Sequence, residues 1–547
     1  MDELGCDVLV IGGGAAGSRA ALEAKRSCPA LDVALAIAGK SGHTGSTALI
    51  ASESLGINAP FNFTGDGDGP DVYLQDMLAT GGGLSSAPLC RIIADEACAR
   101  IEDLISLGVR FDMRGEVPIQ TRLSGCTKAR SLTCGGSTGR EILRVLARAN
   151  AEAGVRVLED VRILDLCRAD DGRVVGALGL ARGEPVVVRA HATVLATGGA
   201  GRLFKKNVNP PGLEGDGWAM ALRAGARLVN LEFFQIGPGV TKPRIPFIIH
   251  SHMWKLKPRL TNARGEEFVG RYCPPGTSPD DVIDAKTMSY PFSVRTIARY
   301  LDIAIFKELM AGRGTESGGV LFDVTHVGEG ELRRRAPITY DTLRRAGADL
   351  ATTPIELGLF VQNFNGGVLI DRDGHTGVEG LYAAGEVTGG VHGADRPGGN
   401  NLIDTQVFGC RAGRAAAIFA EACATRKTGR PGAPPPDAAA FRDSPDERSL
   451  ADACAELYYR ELTVVRRAEG LRRVLAFTAE NAARARGRRA ANGLLVGRML
   501  ALAALTREES RGTHYREDFP DTDSRWNRRI FVGEDGAGEP IAEVEPR

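Results

Sequence analysis

Six residues near the start of the chain could bind the phosphates of a dinucleotide. Residues Gly12–Gly17, with the sequence GGGAAG, match G-x-G-x-x-G and stand directly between an apolar run and a helix-forming segment. In this pattern the first glycine makes a tight turn, the second lets a pyrophosphate approach the backbone, and the third lets helix and strand pack closely. The N–H groups at the helix start then face the phosphates. The pattern predicts a dinucleotide site, and a tight turn without a ligand is the alternative.

The second strand lacks the acidic residue that would hold an adenosine ribose. A carboxylate is expected about twenty positions after the glycines, but the strand ends in Ala38-Gly39-Lys40. NAD is therefore disfavoured. FAD uses the same glycine pattern, and FAD enzymes usually add a flavin contact at a late glycine turn. The segment Gly380–Glu386, with the sequence GLYAAGE, is such a turn.

Strands and helices alternate around the glycine pattern. Cys6–Ile11 and Val33–Ile37 are predicted strands, and Ala15–Lys25 between them is a predicted helix of small residues. This order opens a doubly wound α/β fold. Further helices are predicted at Ala87–Leu107, at Gly139–Ala153 and from about Gln406 to Arg426.

Composition along the chain divides it into five segments. Residues 1–231 and 360–426 are predicted to be two parts of one nucleotide-binding domain, and residues 232–359 an inserted second domain of mixed strands and helices. Residues 427–449 are a proline-rich polar linker. Residues 450–547 are predicted to be a C-terminal helical domain, because apolar residues recur at helical spacing over Leu450–Arg507.

Charge and cysteine content exclude several classes of protein. The 68 basic residues offset 68 acidic ones, so the chain is neither a polybasic nucleic-acid binder nor an acidic disordered protein. Eleven cysteines contain no C-x-x-C pair, so no metal or iron–sulfur site is predicted. Scattered thiols fit a reducing cytosol, and we expect a cytoplasmic protein. No apolar run is long enough to predict a membrane span.

Five further short segments follow one another in a characteristic order. They are ATGGAG at 196–201, NPP with GDG at 209–217, LEFFQ at 231–235, GLYAAGE with HGADR and NNL at 380–402, and REESRG with HYREDFP at 507–520. In type and order they resemble the fumarate reductase/succinate dehydrogenase flavoprotein family, which includes L-aspartate oxidase and the adenylylsulfate reductase α subunit. The resemblance covers nearly the whole chain and is specific for the superfamily, though not for a substrate.

The resemblance implies an α/β fold, in which an FAD-binding doubly wound (Rossmann-like) domain carries an inserted α+β capping domain and is followed by a C-terminal helical domain. It also implies that hydride passes between flavin N5 and a substrate held between cap and flavin. For Asp216 and Asn401, turn capping is the alternative to cofactor contact. The residues expected to contact FAD are Gly12, Gly14, Ala15, Ala16, Gly17, Gly39, Lys40, Ser46, Thr47, Gly198, Asp216, Glu386, Asn401 and Leu402.

Two arginines and a histidine are the catalytic candidates that the resemblance implies. Arg295 matches the family's acid/base arginine, but the Asp that follows in the family is Thr296 here, and the Glu of the proton relay falls near Leu256. Arg295 is therefore either the proton donor or an anion-binding or ion-paired residue. Arg396 matches the arginine that clamps a substrate carboxylate, for which its planar fork is suited. His392, in the same HGADR segment, is the third candidate.

The family's two substrate histidines are missing. Their positions hold Gly237 and Gln362, and each lost charge-assisted hydrogen bond to a second carboxylate is worth about 1.5–3 kcal/mol. A standard fumarate, succinate or L-aspartate enzyme is therefore disfavoured. His250, His252 and Lys255, together with Gln362, are the candidate substrate residues of an anion pocket of different shape. The alternative is a solvated basic face beside an internally satisfied histidine.

The flavin is expected to be non-covalent. Respiratory members of the family carry a His-Thr pair in the loop after the second strand, and this chain has His43-Thr44 there. However, counting eight residues from the end of the strand places Ser46, not the histidine, at the linking position. Members similar to aspartate oxidase have the same Gly-Ser-Thr without a bond.

These features predict an FAD-dependent oxidoreductase that passes hydride between flavin N5 and a small anionic substrate, most simply a carboxylate. Two alternatives stay open. The chain could be the flavoprotein subunit of an electron-transfer complex, whose iron–sulfur partner would be a separate chain. It could also be a flavin-binding interaction protein that has lost catalysis, because the substrate histidines and relay residues are absent. No nucleic-acid partner is expected.

Overall fold

A five-stranded parallel sheet carries the glycine turn of the first strand. The computed structural model describes residues 2–49, 55–425 and 444–546. The sheet is built from short apolar strands, four of which are buried throughout, as parallel sheets require. Their order across the sheet is Leu381–Ala383, Ala192–Leu195, Val8–Ile11, Val33–Ile37 and Arg156–Glu159.

Helices cover one face of this sheet. Ala15–Ser27 packs against Thr138–Glu152 and against the long helix Asn400–Thr425. The long helix begins six residues before the predicted start, so the Asn-Asn-Leu segment lies in its first turn. Two further helices of this domain, Pro70–Thr80 and Ala87–Ser106, pack against each other.

A second sheet covers the opposite face. Its strands pack on the parallel sheet through Val161–Arg168 and Val174–Ala181. These two strands pair antiparallel, and Val174–Ala181 consists only of apolar residues and glycines, of which the first six are buried. The four strands in spatial order are Asp2–Gly5, Glu184–Arg189, Val174–Ala181 and Val161–Arg168.

The inserted segment forms a cap of mixed strands and helices. Its two long strands pair antiparallel, with Phe234 opposite Phe364, so the chain leaves and re-enters the nucleotide-binding domain side by side. The strand order is Phe234–Lys242, Ile355–Phe364, Val320–Asp323 and Arg259–Thr261. The cap helices are Ser251–Trp254, Pro279–Lys286, Arg299–Met310, Glu329–Arg335 and Pro337–Arg345.

The C-terminal region is helical only in part. Its helices are Pro445–Leu462, Ala468–Asn481 and Arg488–Thr506. Beyond Thr506 this predicted helical domain also contains two strands, the first of which begins with the β-branched and aromatic run IFV at 530–532. They complete a five-stranded sheet in the order Thr388–Gly389, Gly367–Leu369, Leu228–Val229, Ile530–Glu534 and Pro540–Val544.

The remaining elements are short. Asp216–Arg223 is a helix of the nucleotide-binding domain. Of the predicted linker 427–449, residues 427–443 lie outside the described part of the chain, and Ser444 caps the helix that follows. Within the described ranges no helix has both the length and the apolar character needed to cross a bilayer. Small strands complete the description at Ile57–Asn58, Met113–Arg114, Val117–Pro118, Gln120–Thr121 and Ser131–Leu132.

Candidate active site

The three glycines of the first turn have three separate roles. Gly12 has a φ of +116°, and a Cβ on it would lie 2.2 Å from the carbonyl oxygen of Ala196. A Cβ on Gly17 would lie 1.8 Å from the carbonyl oxygen of Gly12, so helix and strand touch there. In front of Gly14 the space is open, since the nearest atom to a Cβ would be Thr47 Oγ1 at 3.7 Å. The turn therefore has the form that a pyrophosphate cradle requires.

The helix that follows the turn presents its positive end to the same space. Ala15–Ser27 has no acidic residue in its first turn, and Gly14 provides no side-chain cap. Its positive end is therefore available to an anion. The Ala15 N–H donates to Thr47 Oγ1 at 3.2 Å, and the neighbouring Ser46 hydroxyl donates to Asn209 Oδ1 at 3.3 Å. These bonds hold the 46–47 loop against the turn.

A groove of about 1250 Å³, part of it open to solvent, runs along the carboxyl ends of the parallel strands. This is where α/β sheets place their ligands. Lys40 does not line it, because its side chain is 60% exposed and pairs with Glu159 and Asp160; Gly17 and Gly39 are likewise absent from its wall. The expected FAD contacts that do line it are Gly12, Gly14, Ala15, Ala16, Ser46, Thr47, Gly198, Asp216, Glu386, Asn401 and Leu402.

Asp216 joins three elements at the wall of the groove. It begins the helix Asp216–Arg223, and its Oδ2 accepts a hydrogen bond from Arg162 Nη2 at 2.8 Å. Its Oδ1 accepts one from Asn492 Nδ2 at 2.8 Å. Because both carboxylate oxygens have partners, Asp216 holds the wall in place as well as lining it.

Glu386 is a carboxylate in a dry part of the wall. Its Oε1 accepts a hydrogen bond from the Phe364 N–H at 3.1 Å. Burial raises the pKa of Glu386 to about 7, although the positive charge of Arg396 acts in the opposite direction. The carboxyl group offers acceptors to the hydroxyl groups of a bound nucleotide. Beside it, the Asn401 amide donates to Asn363 Oδ1.

Arg396 carries a guanidinium with unused donors. Its Nη1 donates to the Pro397 carbonyl at 3.3 Å, and its Nε is buried without a hydrogen-bond partner. Burial lowers the pKa of Arg396 to about 10, so it stays cationic at neutral pH. In the described part of the chain no carboxylate forms an ion pair with its side chain. A desolvated cation with free donors is a binding site for an anion.

Asp395 connects the cap to the loop that carries Arg396. Its Oδ2 accepts hydrogen bonds from Arg295 Nε at 3.2 Å and Nη2 at 3.0 Å. Its Oδ1 accepts one from Gln235 Nε2 at 3.0 Å and one from the backbone N–H of Arg396 at 2.9 Å. Sequence reasoning sought the acidic partner of Arg295 at the next residue, Thr296, and so missed Asp395. The only sequence signal was an acidic residue inside the HGADR segment.

His392 lies at the wall of the groove. It is buried, and its Nε2 is 3.7 Å from Asp404 Oδ2. Asp404 also lines the groove, in the first turns of the helix Asn400–Thr425. The third catalytic candidate thus faces the space expected to hold the cofactor.

Of the three cap residues proposed for an anion pocket, His250 and His252 lie close enough to interact electrostatically, but they contact different neighbours. His250 is buried against the ring of Tyr290, with centroids 5.2 Å apart, and burial lowers its pKa to about 3. His252 lies against Thr339, with Nε2 and Oγ1 3.2 Å apart. Lys255 is exposed at the surface. The structure therefore places only His250 towards Gln362 and Arg396.

Tyr290 is a polar residue of the site that sequence reasoning missed. Its hydroxyl donates to Gln362 Oε1 at 3.0 Å. A Cβ on Gly237 would lie 2.5 Å from the same hydroxyl oxygen. Tyr290 is close enough to Arg396 for the charge of the guanidinium to act on the phenol. We call Tyr290, Gln362, Gly237 and His250 the tyrosine cluster; no motif in the sequence marks it.

The REESRG segment positions both arginine loops. The carbonyl oxygen of Gly512 accepts a hydrogen bond from the Val294 N–H at 2.7 Å, next to Arg295. The Thr513 N–H donates to the Ala394 carbonyl at 3.0 Å, two residues before Arg396. A Cβ on Gly512 would lie 2.2 Å from that carbonyl oxygen. One C-terminal loop therefore sets the positions of the two loops that carry Arg295 and Arg396.

A chain of buried charges anchors this loop. Arg507 donates to Glu232 Oε1 at 2.8 Å and to Glu509 Oε1 at 2.9 Å. Glu509 also accepts from Arg511, whose Nη1 donates to the Gly82 carbonyl at 2.7 Å. All these charged groups have partners, as buried ions must. Within the described ranges, no group of three or more His, Cys, Asp or Glu side chains could hold a metal ion.

Comparison with known proteins relates this arrangement to flavoproteins. Residues 7–402 match the family model described as an FAD binding domain, and residues 476–546 match the one described as the fumarate reductase flavoprotein C-term. The chain is similar to one subunit of the fumarate reductase (CoM/CoB) from Methanothermobacter marburgensis, with 33% identity, 96% of this chain and 97% of that one covered. An L-aspartate oxidase from Caulobacter vibrioides is 32% identical, with 96% of each chain covered.

A solved structure gives the same relation in three dimensions. The structure of Mycobacterium smegmatis Sdh1 in complex with UQ1 is 30% identical to this chain. The similarity covers 100% of this chain and 95% of that one, with a TM-score of 0.85. The likeness therefore extends from the first glycine turn through the cap to the C-terminal strands.

Proposed function

Since the chain belongs to the FAD-binding flavoprotein family that includes fumarate reductase and L-aspartate oxidase, we propose that this FAD-dependent oxidoreductase acts on a small substrate that carries a carboxylate. When bound, FAD supplies the exchange of two electrons as hydride at its N5 atom. The chain's own residues bind and orient the substrate beside the flavin and transfer the proton that the reaction requires.

The unpaired guanidinium of Arg396 carries the proposal. It is a cation with an unpartnered, buried Nε, and no carboxylate of the described residues forms an ion pair with it. A carboxylate of the substrate would complete its hydrogen bonds and neutralise its charge. Because Glu386 of the groove wall lies close enough to interact with Arg396, the anion site adjoins the cofactor groove.

Arg295 is the proposed proton donor. Asp395 accepts from its Nε and Nη2, which leaves Nη1 for a substrate atom. A free guanidinium is a poor acid, with a pKa above about 12, so proton release requires a dry site with neighbouring charges. A neighbouring carboxylate favours the protonated guanidinium, so Asp395 orients Arg295 and does not itself promote proton release. Since Arg295 belongs to the cap, cap closure would exclude water as it brings the guanidinium to the substrate.

The residues that line the groove have the chemical character that FAD requires. The open approach at Gly14 and the uncapped helix start at Ala15 suit a diphosphate, which Gly12–Ala16 would hold. Glu386 and Asn401 offer polar groups farther along the wall. Ser46 already donates to Asn209, and the ring of His43 lies 2.9 Å from the carbonyl oxygen of Ser41 on an exposed part of the loop, which supports non-covalent FAD.

A second candidate function is a flavoprotein subunit of a larger complex. The similar Methanothermobacter marburgensis protein is named as part of a multi-subunit enzyme, which favours this hypothesis. The eleven cysteines contain no cluster pattern, so an iron–sulfur partner would be a separate chain. Copurification of a second chain with iron and acid-labile sulfide would support this candidate, and rapid reoxidation of the reduced protein by O₂ would favour an oxidase that works alone.

The test of the proposed function uses the purified, yellow protein. We expect that after anaerobic reduction with dithionite, the flavin absorbance returns on addition of one of a panel of unsaturated small carboxylic acids and reducible sulfur oxyanions. Reduction of the oxidised flavin by saturated acids, amino acids and reduced sulfur oxyanions tests the opposite direction. If no carboxylate in either series changes the redox state while a sulfur oxyanion does, the substrate class is wrong.

A further inference from the structure

Tyr290 occupies the space in front of Gly237 and faces Gln362. Its hydroxyl would stand 2.5 Å from any Cβ at position 237, so no side chain at that position can reach the site without displacing it. The hydroxyl donates to Gln362 Oε1 at 3.0 Å. Gln362 stands at an irregularity of its strand, where the pairing with the neighbouring strand skips one residue, and it lies two residues before Phe364, which lines the cofactor groove.

The groups around Tyr290 provide one unpaired positive charge. Lys286 lies 5.7 Å above its ring, but it pairs with Asp302, and both of these side chains are buried. Arg295 pairs with Asp395. His250 packs edge-on against the ring, and burial lowers its pKa to about 3, so it is neutral at pH 7. Arg396 is left as the cation that can receive an anion.

Tyr290 and Gln362 together keep both hydrogen-bond donors and hydrogen-bond acceptors for a ligand. With its Oε1 receiving the phenol proton, Gln362 keeps its amide N–H groups as donors, while the Tyr290 oxygen keeps lone pairs as acceptors. A group that both donates and accepts, such as an amide or a hydroxyl, satisfies both. A carboxylate only accepts hydrogen bonds, so its oxygens would be repelled by the lone pairs of the phenol oxygen. No second cation would neutralise its charge there.

We infer that the substrate carries a single negative charge, with its carboxylate on Arg396 and an uncharged amide or hydroxyl at the other end, bound by Tyr290 and Gln362. This inference rests on the proposed function, because it takes Arg396 as the carboxylate site. It makes the tyrosine cluster a specificity element against dicarboxylates.

The experiment measures binding to the oxidised, FAD-loaded full-length protein. Changes in the flavin absorbance spectrum are titrated with two probes of equal length, fumarate and its monoamide. We expect the monoamide to bind at least about tenfold more tightly, because the second carboxylate of fumarate would be buried without a cation. Tyr290→Phe, which removes only the hydroxyl, should bring the two dissociation constants to within about threefold of each other.

A second variant tests the same idea by adding a donor. Gln362→His should strengthen fumarate binding by about tenfold at pH 6, where an imidazolium can form, while weakening monoamide binding. Equal affinities for the two probes in the unmodified protein, or an undiminished monoamide preference in both variants, would overturn the inference. If neither probe, nor crotonate as a minimal monocarboxylate, perturbs the spectrum, or if Arg396→Ala leaves binding unchanged, then the proposed carboxylate site fails as well.

Discussion

Asp395 accepts two hydrogen bonds from Arg295, at 3.2 and 3.0 Å, although the two residues are 100 positions apart in the chain. One belongs to the cap and the other to the loop of the nucleotide-binding domain that ends in Arg396. The ion pair therefore fixes the cap arginine relative to the loop arginine. Since the carboxylate is turned to Arg295, Arg396 keeps its donors for a ligand.

The Asp395–Arg295 pair is tested by Asp395→Asn. The amide oxygen can still accept from Gln235, but the amide nitrogen cannot accept from Arg295. Loss of a hydrogen bond to a charged group costs about 1.5–3 kcal/mol, so we expect turnover to fall roughly tenfold to a hundredfold with FAD content unchanged. The matched control is Asp341→Asn, which breaks an exposed cap pair with Arg333 and should keep full turnover. Equal rates in the two variants would show that the Asp395 pair is only structural.

Arg396→Ala tests the anion site. The variant should stay yellow and folded but lose turnover, because the carboxylate would have no cation to bind. Arg396→Lys keeps the charge without the planar fork and should recover only part of the rate. We would measure kcat and KM beside the FAD content, with Arg334→Ala at an exposed cap arginine as the control. A flavin-replete and fully active Arg396→Ala enzyme would contradict the assignment.

Gly14→Ala tests the diphosphate cradle. Gly14 has a φ of −73°, which alanine adopts without strain, and its Cβ would enter open space in the groove. We expect unchanged stability of the flavin-free protein but at least tenfold weaker FAD binding, measured by recovery of flavin absorbance on reconstitution. Gly17→Ala is the counterpart, since its Cβ would collide with Gly12 and destabilise the fold itself. Normal FAD affinity in Gly14→Ala would refute the cradle.

Glu386 should make the stability of the flavin-free protein depend on pH. Burial raises its pKa from an ordinary value of 4.5 to about 7, so the folded state binds a proton that the unfolded state has lost. The contribution of Glu386 to the free energy of unfolding, taken relative to Glu386→Gln, should therefore be largest below pH 4.5. It should fall by up to about 3 kcal/mol as the pH rises through 7. Urea unfolding at pH 5, 6, 7 and 8 measures this difference, and parallel curves would contradict it.

Gly512→Ala tests the C-terminal loop as a support for both arginines. Its φ is +51°, and the added methyl would press on the Ala394 carbonyl. We expect turnover to fall at least tenfold while FAD stays bound. Gly538→Ala provides a matched control, because Gly538 also has a positive φ, +81°, but open space around it. Strain alone, about 1–2 kcal/mol, would affect both variants alike, so equal effects on turnover would argue against a positioning role.

The first glycine turn could be predicted from sequence because Gly12, Gly14 and Gly17 lie within six residues in a recognisable pattern. The contact of Gly17 with Gly12 is local, whereas the carbonyl oxygen that Gly12 approaches belongs to Ala196, on another strand. The helices Ala87–Ser106 and Thr138–Glu152 begin and end within one residue of their predicted bounds. FAD as the cofactor is confirmed by the match to an FAD binding domain over most of the chain.

The contacts around the arginines could not be predicted in this way. Asp395 meets Arg295 only after the cap folds back onto the loop, and Tyr290 meets Gln362 across 72 positions. Neither pair has a spacing or a composition that marks it. The C-terminal strands were missed because their partner, Leu228–Val229, is a two-residue strand some 300 positions away.

The strand Ile530–Glu534 bonds directly to Leu228–Val229, in the sheet that also contains Thr388–Gly389 just after Glu386. During synthesis on the ribosome, this sheet lacks two of its five strands until Ile530–Glu534 and Pro540–Val544 have emerged. The cofactor wall therefore reaches its final form only after these strands have been made, and a nascent chain stalled before residue 530 would present an unfinished pocket to free flavin.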